Sequence, residues 1–227
     1  MVKLRWFTLG AAAALWAAGP RSAGAHPEQT PALVNRYLTV APGGTHLGLH
    51  LELLFGTIPA AEQRRTMDRD HDGKISLQER SAELRSWSQR ATELVRLTID
   101  GRNSPVPVIA QIDLDGDDTT SSKPMLIDLA GQIDLGPGEH RIEIDAGPDL
   151  PRMGETEIVL DATNPWILRT TFDDKGQAQG VQKLIRHPGP RAQPGDRRGA
   201  TFVIDSAGPA EGNDANPALP IVMVRSR

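Results

Sequence analysis

The chain has 227 residues, with 25 Lys and Arg against 29 Asp and Glu, six histidines and no cysteine. Without cysteine it can be neither a disulfide scaffold nor a lipoprotein acylated on a thiol, and thiol chemistry is closed to it. The acidic balance favours cations as ligands and disfavours nucleic acid, whose phosphates require clustered Lys and Arg.

Residues 1–25 have the pattern of a secretory signal peptide. Lys3 and Arg5 form a positive start, Trp6 to Ala18 is apolar but too short to span a bilayer, and Ala23-Gly24-Ala25 is a small-residue cleavage site. Removal of Lys3, Arg5 and Arg21 leaves 22 basic and 29 acidic residues, a net charge of −7. No later segment is apolar for long enough to cross a membrane. The expected location is therefore the periplasm or the exterior, with no membrane span in the mature chain. Residues 26–186 are expected to form the folded domain, large enough to stand on its own core.

Leu33 to Val40 reads as a strand, Pro42-Gly43-Gly44 as a turn and His46 to Phe55 as a second strand. Along the second strand Leu47, Leu49, Leu51 and Leu53 alternate with His46, Gly48, His50 and Glu52, the period of a half-buried strand. A helix is expected from a Thr57 cap, with Pro59 and Ala60 in its first turn, to about Met67. A second helix is expected behind Ser76 and Glu79, which have capping-box spacing. Leu77, Leu84, Trp87, Ala91 and Leu94 recur along it at helical intervals.

Between these helices, Asp68 to Glu79 reads as a complete twelve-residue EF-hand calcium loop. Asp68, Asp70 and Asp72 stand at loop positions 1, 3 and 5 and offer the hard carboxylate oxygens that Ca²⁺ prefers. Gly73 at position 6 allows positive φ without a Cβ penalty. Lys74 would contribute its main-chain carbonyl, Ser76 would bind directly or through a water, and Glu79 would close the shell as a bidentate ligand. The bland alternative is an Asp-rich surface turn. EF-hands usually work in pairs bridged at loop position 8, and Ile75 at that position shows no partner loop in the sequence. A degenerate segment, a second protomer or a solitary weak hand would account for this.

The helical insertion, at about residues 57–97, returns to strand character at Leu94 to Asp100, and Gly101 to Ser104 turns the chain into a strand from Val106 to about Leu114. Further strands are expected at Met125–Leu135, His140–Asp145, Thr156–Asp161, Pro165–Phe172 and Val181–Arg186. Many short strands with turns between them imply a mostly β fold, an antiparallel sandwich or barrel, carrying the inserted helix–loop–helix. Residues 187–227 are rich in Pro, Gly and Arg and read as a disordered tail, with a short strand admissible at Thr201–Ile204 or Leu219–Val224.

Asn35-Arg36-Tyr37-Leu38-Thr39-Val40, Ile58-Pro59, the calcium loop and the stretch Gly154 to Val159 together resemble a group of bacterial exported proteins that accompany, or are fused to, nickel/cobalt-type permeases. The last stretch is similar to a Gly-Trp-x-Glu-Ile-Val pattern in that group, with Glu155 in place of the aromatic. The resemblance covers roughly residues 26–186. It implies a membrane metal permease, or another exported protein, as partner, and a role in metal uptake.

The histidines also admit a transition-metal site, since imidazole suits nickel, cobalt, copper and zinc. Cleavage after Ala25 would expose His26 as an amine–imidazole chelate, with His46 and His50 the nearest further ligands by type. These two lie about 13 Å apart on one strand, too far to share an ion. A second acidic cluster, Asp113 to Asp118, fails the calcium-loop template because its glycine precedes the third acid, and it reads as a solvated turn or an accessory cation site. No nucleophile elbow, zinc-protease motif or phosphate loop is present, so no catalysis is expected. The expectation is an exported calcium-binding module that binds another protein, with a periplasmic nickel, cobalt or copper carrier as the alternative.

Overall fold

The computed structural model describes residues 30–106, 108–114, 117–162, 164–190 and 198–206. The expected signal peptide, His26 and the admissible strand at 219–224 lie outside the described residues. In chain order the elements are β1 (Val34–Gly43), β2 (His46–Phe55), α1 (Thr57–Met67), α2 (Leu77–Leu94), β3 (Arg96–Ile99), β4 (Arg102–Asn103), β5 (Val108–Asp113) and β6 (Met125–Asp134). They continue with β7 (Glu139–Asp145), β8 (Met153–Leu160), β9 (Trp166–Phe172), β10 (Ala178–Gly180), β11 (Leu184–His187) and β12 (Gly199–Ser206).

The protein is mostly β, with two six-stranded sheets. The first has the order β11-β8-β1-β2-β6-β5 and the second β10-β9-β12-β7-β3-β4. Each sheet ends in two edges among the described residues, so the barrel alternative is set aside. The antiparallel expectation also needs correction, because β1 runs parallel to β8 from Val34–Met153 to Val40–Leu160. That pairing joins strands more than a hundred residues apart, and local patterning carries no sign of it.

Alternation along β2 decides which face is buried. Leu47, Leu49, Leu51 and Leu53 point into the core, and it is this face that α2 covers. The core continues through Ile127 and Leu129 of β6, Ile142 and Ile144 of β7, and Phe202 and Ile204 of β12. Polar links also bridge the sheets. The fully buried Arg36 of β1 donates to the carbonyls of Ala146 and Pro148 at 2.8 Å each, just beyond β7. Trp166 at the start of β9 donates its indole N–H to the Gly44 carbonyl, 2.9 Å away in the β1–β2 turn.

Both helices form where the periodicity places them, with two differences. Gly56 is the N-cap of α1 and Thr57 its first residue. The chain passes so close to Thr30 and Pro31 at this point that a Cβ on Gly56 would lie 2.6 Å from a backbone oxygen. In α2 the buried stripe is Glu79, Trp87, Ala91 and Leu94, and Trp87 meets Phe55 edge to face at 6.1 Å. Leu77 is 82 % exposed, so the apolar part of the stripe begins at the partly buried Leu84.

Within 187–227, the short strand admitted at Thr201–Ile204 forms as part of β12, and the reading of a disordered tail is corrected for residues 199–206. β12 lies inside the second sheet, paired with β7 on one side and β9 on the other, and buries Ala200, Phe202 and Ile204. The domain boundary at 186 is therefore too early. Truncating a large core aromatic removes its transfer energy and leaves a cavity, together about 3–5 kcal/mol. Phe202→Ala should lower the unfolding free energy in urea by that amount, whereas a residue in an unstructured tail would change it by no more than about 0.5 kcal/mol.

Candidate metal centre

The loop from Asp68 to Ser76 is wound by its own side chains. Asp68 caps the end of α1 and is buried, and its two carboxylate oxygens accept from the N–H groups of Asp72 at 3.1 Å and Gly73 at 3.0 Å. Asp70 accepts from Asp72 N–H at 3.2 Å, and Asp72 accepts from Lys74 N–H at 2.7 Å. Such short-range bonds are the usual work of Asp in turns. The chain enters the left-handed region at His71, φ 61°, and again at Gly73, φ 82°. Gly73 takes that conformation at no steric cost.

Glu79 closes the loop from the other end. Ser76 and Glu79 form a capping box, as their spacing predicts, with Ser76 Oγ accepting from the Glu79 N–H at 3.3 Å. One Glu79 oxygen accepts from the Ser76 N–H at 2.9 Å and the Ser76 hydroxyl at 2.8 Å. The other accepts from the Arg69 N–H at 2.6 Å, across the mouth of the loop. These donors favour the charged form. The Ser76 N–H is the strongest of them, followed by the Ser76 hydroxyl and the Arg69 N–H, and together they lower the Glu79 pKa from its ordinary 4.5 to about 2.

Of the six residues expected to bind metal, Asp68, Asp70 and Glu79 converge, with one carboxylate oxygen from each within 4.8 Å of the others. Asp72 is directed to Lys74 instead. Ser76 stays beside Glu79. Lys74 forms an isolated antiparallel bridge with Thr119, flanked by bonds from Ile75 N–H to the Asp118 carbonyl at 2.6 Å and from Thr120 N–H to the Gly73 carbonyl at 3.2 Å. In a pair flanked in this way the residue's own N–H and C=O point away from the partner strand. The Lys74 carbonyl is therefore turned from the bridge, on the side where its N–H meets Asp72.

That bridge supplies the partner that Ile75 lacked in the sequence. The segment belongs to the second acidic cluster, whose mismatch to the calcium-loop template concealed it. Pairing here uses only backbone groups, and no ligand pattern is needed for them. Within that cluster Asp117 is engaged locally: it accepts from the Thr119 N–H at 3.1 Å and faces Lys123 at 3.5 Å. The hydroxyls of Thr119 and Ser121 hold its carboxyl well below the usual range. Asp115 and Gly116 lie outside the described residues.

The helices grip the same β5–β6 connection. Arg64 of α1, fully buried, donates to the carbonyls of Leu114, Ser121, Lys123 and Pro124. Arg80 of α2 donates to the Ile112 carbonyl. Sequence reasoning passed over both arginines, since Arg on a helix ordinarily keeps its charge in solvent even beside apolar neighbours such as Ala60 and Met67 or Leu77 and Leu84. His46 and His50 each face an aspartate on β6, and different ones: Asp134 at 2.8 Å and Asp128 at 3.6 Å.

The chain matches no family model and no curated protein. Among the described residues no helix is long and apolar enough to cross a membrane.

The low pKa of Glu79 has a consequence for the metal-free protein. A carboxyl depressed in the folded state stabilises that state at pH values above the unfolded pKa, and the contribution is lost as pH falls through the folded one. Loop order should therefore be complete above about pH 4.5 and decline toward pH 2. Amide exchange should report this as falling protection of the Arg69 and Ser76 N–H groups. A Glu79→Gln variant should already show low protection at pH 6 and little further change on acidification.

Proposed function

We propose that α1, the loop and α2 form a single EF-hand that binds Ca²⁺, and that the protein is an exported calcium-binding module whose β domain engages another protein. The observation that carries this is the convergence of Asp68, Asp70 and Glu79 on a loop that turns at Gly73 and is bridged at Ile75. All the donors are oxygen, in an arrangement suited to a hard cation. Asp68, Asp70 and Asp72 would each offer a carboxylate oxygen, Lys74 its carbonyl, Ser76 its hydroxyl or a held water, and Glu79 both oxygens. Bound calcium would offset the mutual repulsion of the four carboxylates.

The residues account for a clamp. Asp68 ends α1 and Glu79 opens α2, so a ligand shared between them ties the helices together. A ligand at 100 times its Kd stabilises a fold by about 2.7 kcal/mol, enough to decide whether a helical insertion stays ordered. A single hand outside the cytoplasm fits an affinity on the order of 10⁻⁴ to 10⁻³ M, where extracellular calcium modules work. Export rests on the signal-peptide pattern, and a membrane metal permease as partner rests on the family resemblance.

Calorimetric titration of the full-length protein with Ca²⁺ and Mg²⁺ should give one Ca²⁺ site. Glu79→Gln should abolish it while leaving the far-ultraviolet circular dichroism of the β domain unchanged. No Ca²⁺ heat up to several millimolar, or an unchanged isotherm in Glu79→Gln, would sink the proposal.

A further inference from the structure

The face of the first sheet turned away from the core carries a polar row, aligned strand by strand. Arg186 of β11 lies opposite Glu157 of β8, which pairs with Tyr37 of β1. Tyr37 lies opposite Glu52 of β2, Glu52 opposite Asp128 of β6, and Asp128 opposite Gln111 of β5. Glu157 has a cation to answer it, since Arg186 approaches within 2.9 Å.

Glu52 has none, and Asp128 has only the His50 imidazole, a cation when protonated, 3.6 Å away. Like charges set directly opposite on antiparallel strands are destabilising, and nothing in the row offsets this pair. Glu52 has no ion pair or hydrogen bond among the described residues. One oxygen of Asp128, Oδ1, is shielded from solvent and accepts no hydrogen bond, an arrangement that costs free energy in a carboxylate.

Beside this pair stands an imidazole. His50 lies two residues before Glu52 on the same face, and its Nε2 is 3.6 Å from Asp128 Oδ1. The gap is too long for a hydrogen bond. It is close to the separation of about 3.3 Å expected for two ligands on one tetrahedral ion with bonds of about 2.0–2.1 Å. One ligand atom each from His50, Glu52 and Asp128 all lie within 4.8 Å of one another, and all three side chains are half-buried. Gathering them onto one ion needs side-chain rotation and no change of strand register.

We propose that His50, Glu52 and Asp128 form a second cation site, separate from the helix–loop–helix unit, that takes a borderline divalent ion of the Zn²⁺, Co²⁺ or Ni²⁺ class. One imidazole nitrogen and two carboxylate oxygens would hold it, with water completing the shell. Imidazole is foreign to calcium sites, which are built from oxygen, and a set without thiolate or thioether does not select Cu(I). The ion would supply a fixed positive charge between the opposed carboxylates, where a neutral His50 supplies none. It would also place the transition-metal chemistry on the sheet, through ligands from two neighbouring strands, and not on His26.

The test uses full-length protein saturated with Ca²⁺, so that the loop does not compete, titrated with Zn²⁺ by calorimetry and with Co²⁺ by visible absorption. One equivalent should bind, with the Co²⁺ spectrum of a low-coordinate nitrogen–oxygen site. Removing a ligand should weaken binding at least as much as the loss of an outer-shell partner does, about 10–100-fold. His50→Ala and Asp128→Asn should each do so, while Glu79→Gln and His26→Ala should leave Zn²⁺ affinity unchanged. A retained Ca²⁺ isotherm shows that a β2, β6 or His26 variant is folded, and an unchanged far-ultraviolet circular dichroism spectrum shows it for Glu79→Gln; where His50→Ala or Asp128→Asn is not folded, Glu52→Gln decides in its place. No Zn²⁺ or Co²⁺ binding at 1 mM, on the order of the weakest extracellular metal modules, overturns the proposal. So does binding that disappears with His26 and survives the loss of His50.

Discussion

Two backbone hydrogen bonds, from Ile75 N–H to the Asp118 carbonyl and from Thr120 N–H to the Gly73 carbonyl, hold the back of the helix–loop–helix, and the geometry at its front depends on them. A nine-residue connection carrying three acids, with a fourth in the first turn of α2, is not a stable turn by itself, because the charges repel and each fixed residue costs conformational entropy. Here the loop leans on a second segment that is fixed from both helices. Arg64 gathers four carbonyls of the β5–β6 connection, and Arg80 adds a bond at the end of β5. A guanidinium presents five donors in a rigid fork, which is why one buried arginine can satisfy several carbonyls of an irregular segment. With the back held, Asp68 and Glu79 face each other across the mouth at fixed spacing.

Legibility in the sequence followed the range of the interaction. β2 was readable to the residue, because its alternating leucines report a local fact, which side of one strand is buried. The loop was equally readable, since turn, acids, glycine and capping box are all encoded within twelve residues. What depended on distant partners was not. Ile75 and Asp118 are forty-three positions apart, and nothing in an acidic turn advertises a free strand edge. The parallel β1–β8 pair was hidden for the same reason. β12 was legible only as an admissible short strand because the Pro- and Gly-rich composition around it outweighed the four β-branched and aromatic residues Thr201 to Ile204. Leu77 erred in the opposite direction: its spacing fits a buried stripe, but it sits in the first turn, before α2 reaches the sheet.

The topology also connects the helix–loop–helix to the proposed sheet site. α1 continues directly from β2, which carries His50 and Glu52. The segment that pairs with the loop runs on into β6, which carries Asp128. β2 and β6 are adjacent strands in full antiparallel register over ten residues, so their spacing at Glu52 and Asp128 is set by the ladder on both sides. The two strands that would share the transition ion are thus the two to which the helix–loop–helix is fastened. Arg64 ties the β5–β6 connection to α1 up to Pro124, one residue before β6 begins and four before Asp128. The two proposed sites would be chemically distinct, one all oxygen and one with an imidazole, on elements that share the same pair of strands. The ligands on β2 and β6 are therefore held at their distance by the strand ladder itself, and an ion of a different kind could bind there whether or not the loop is occupied.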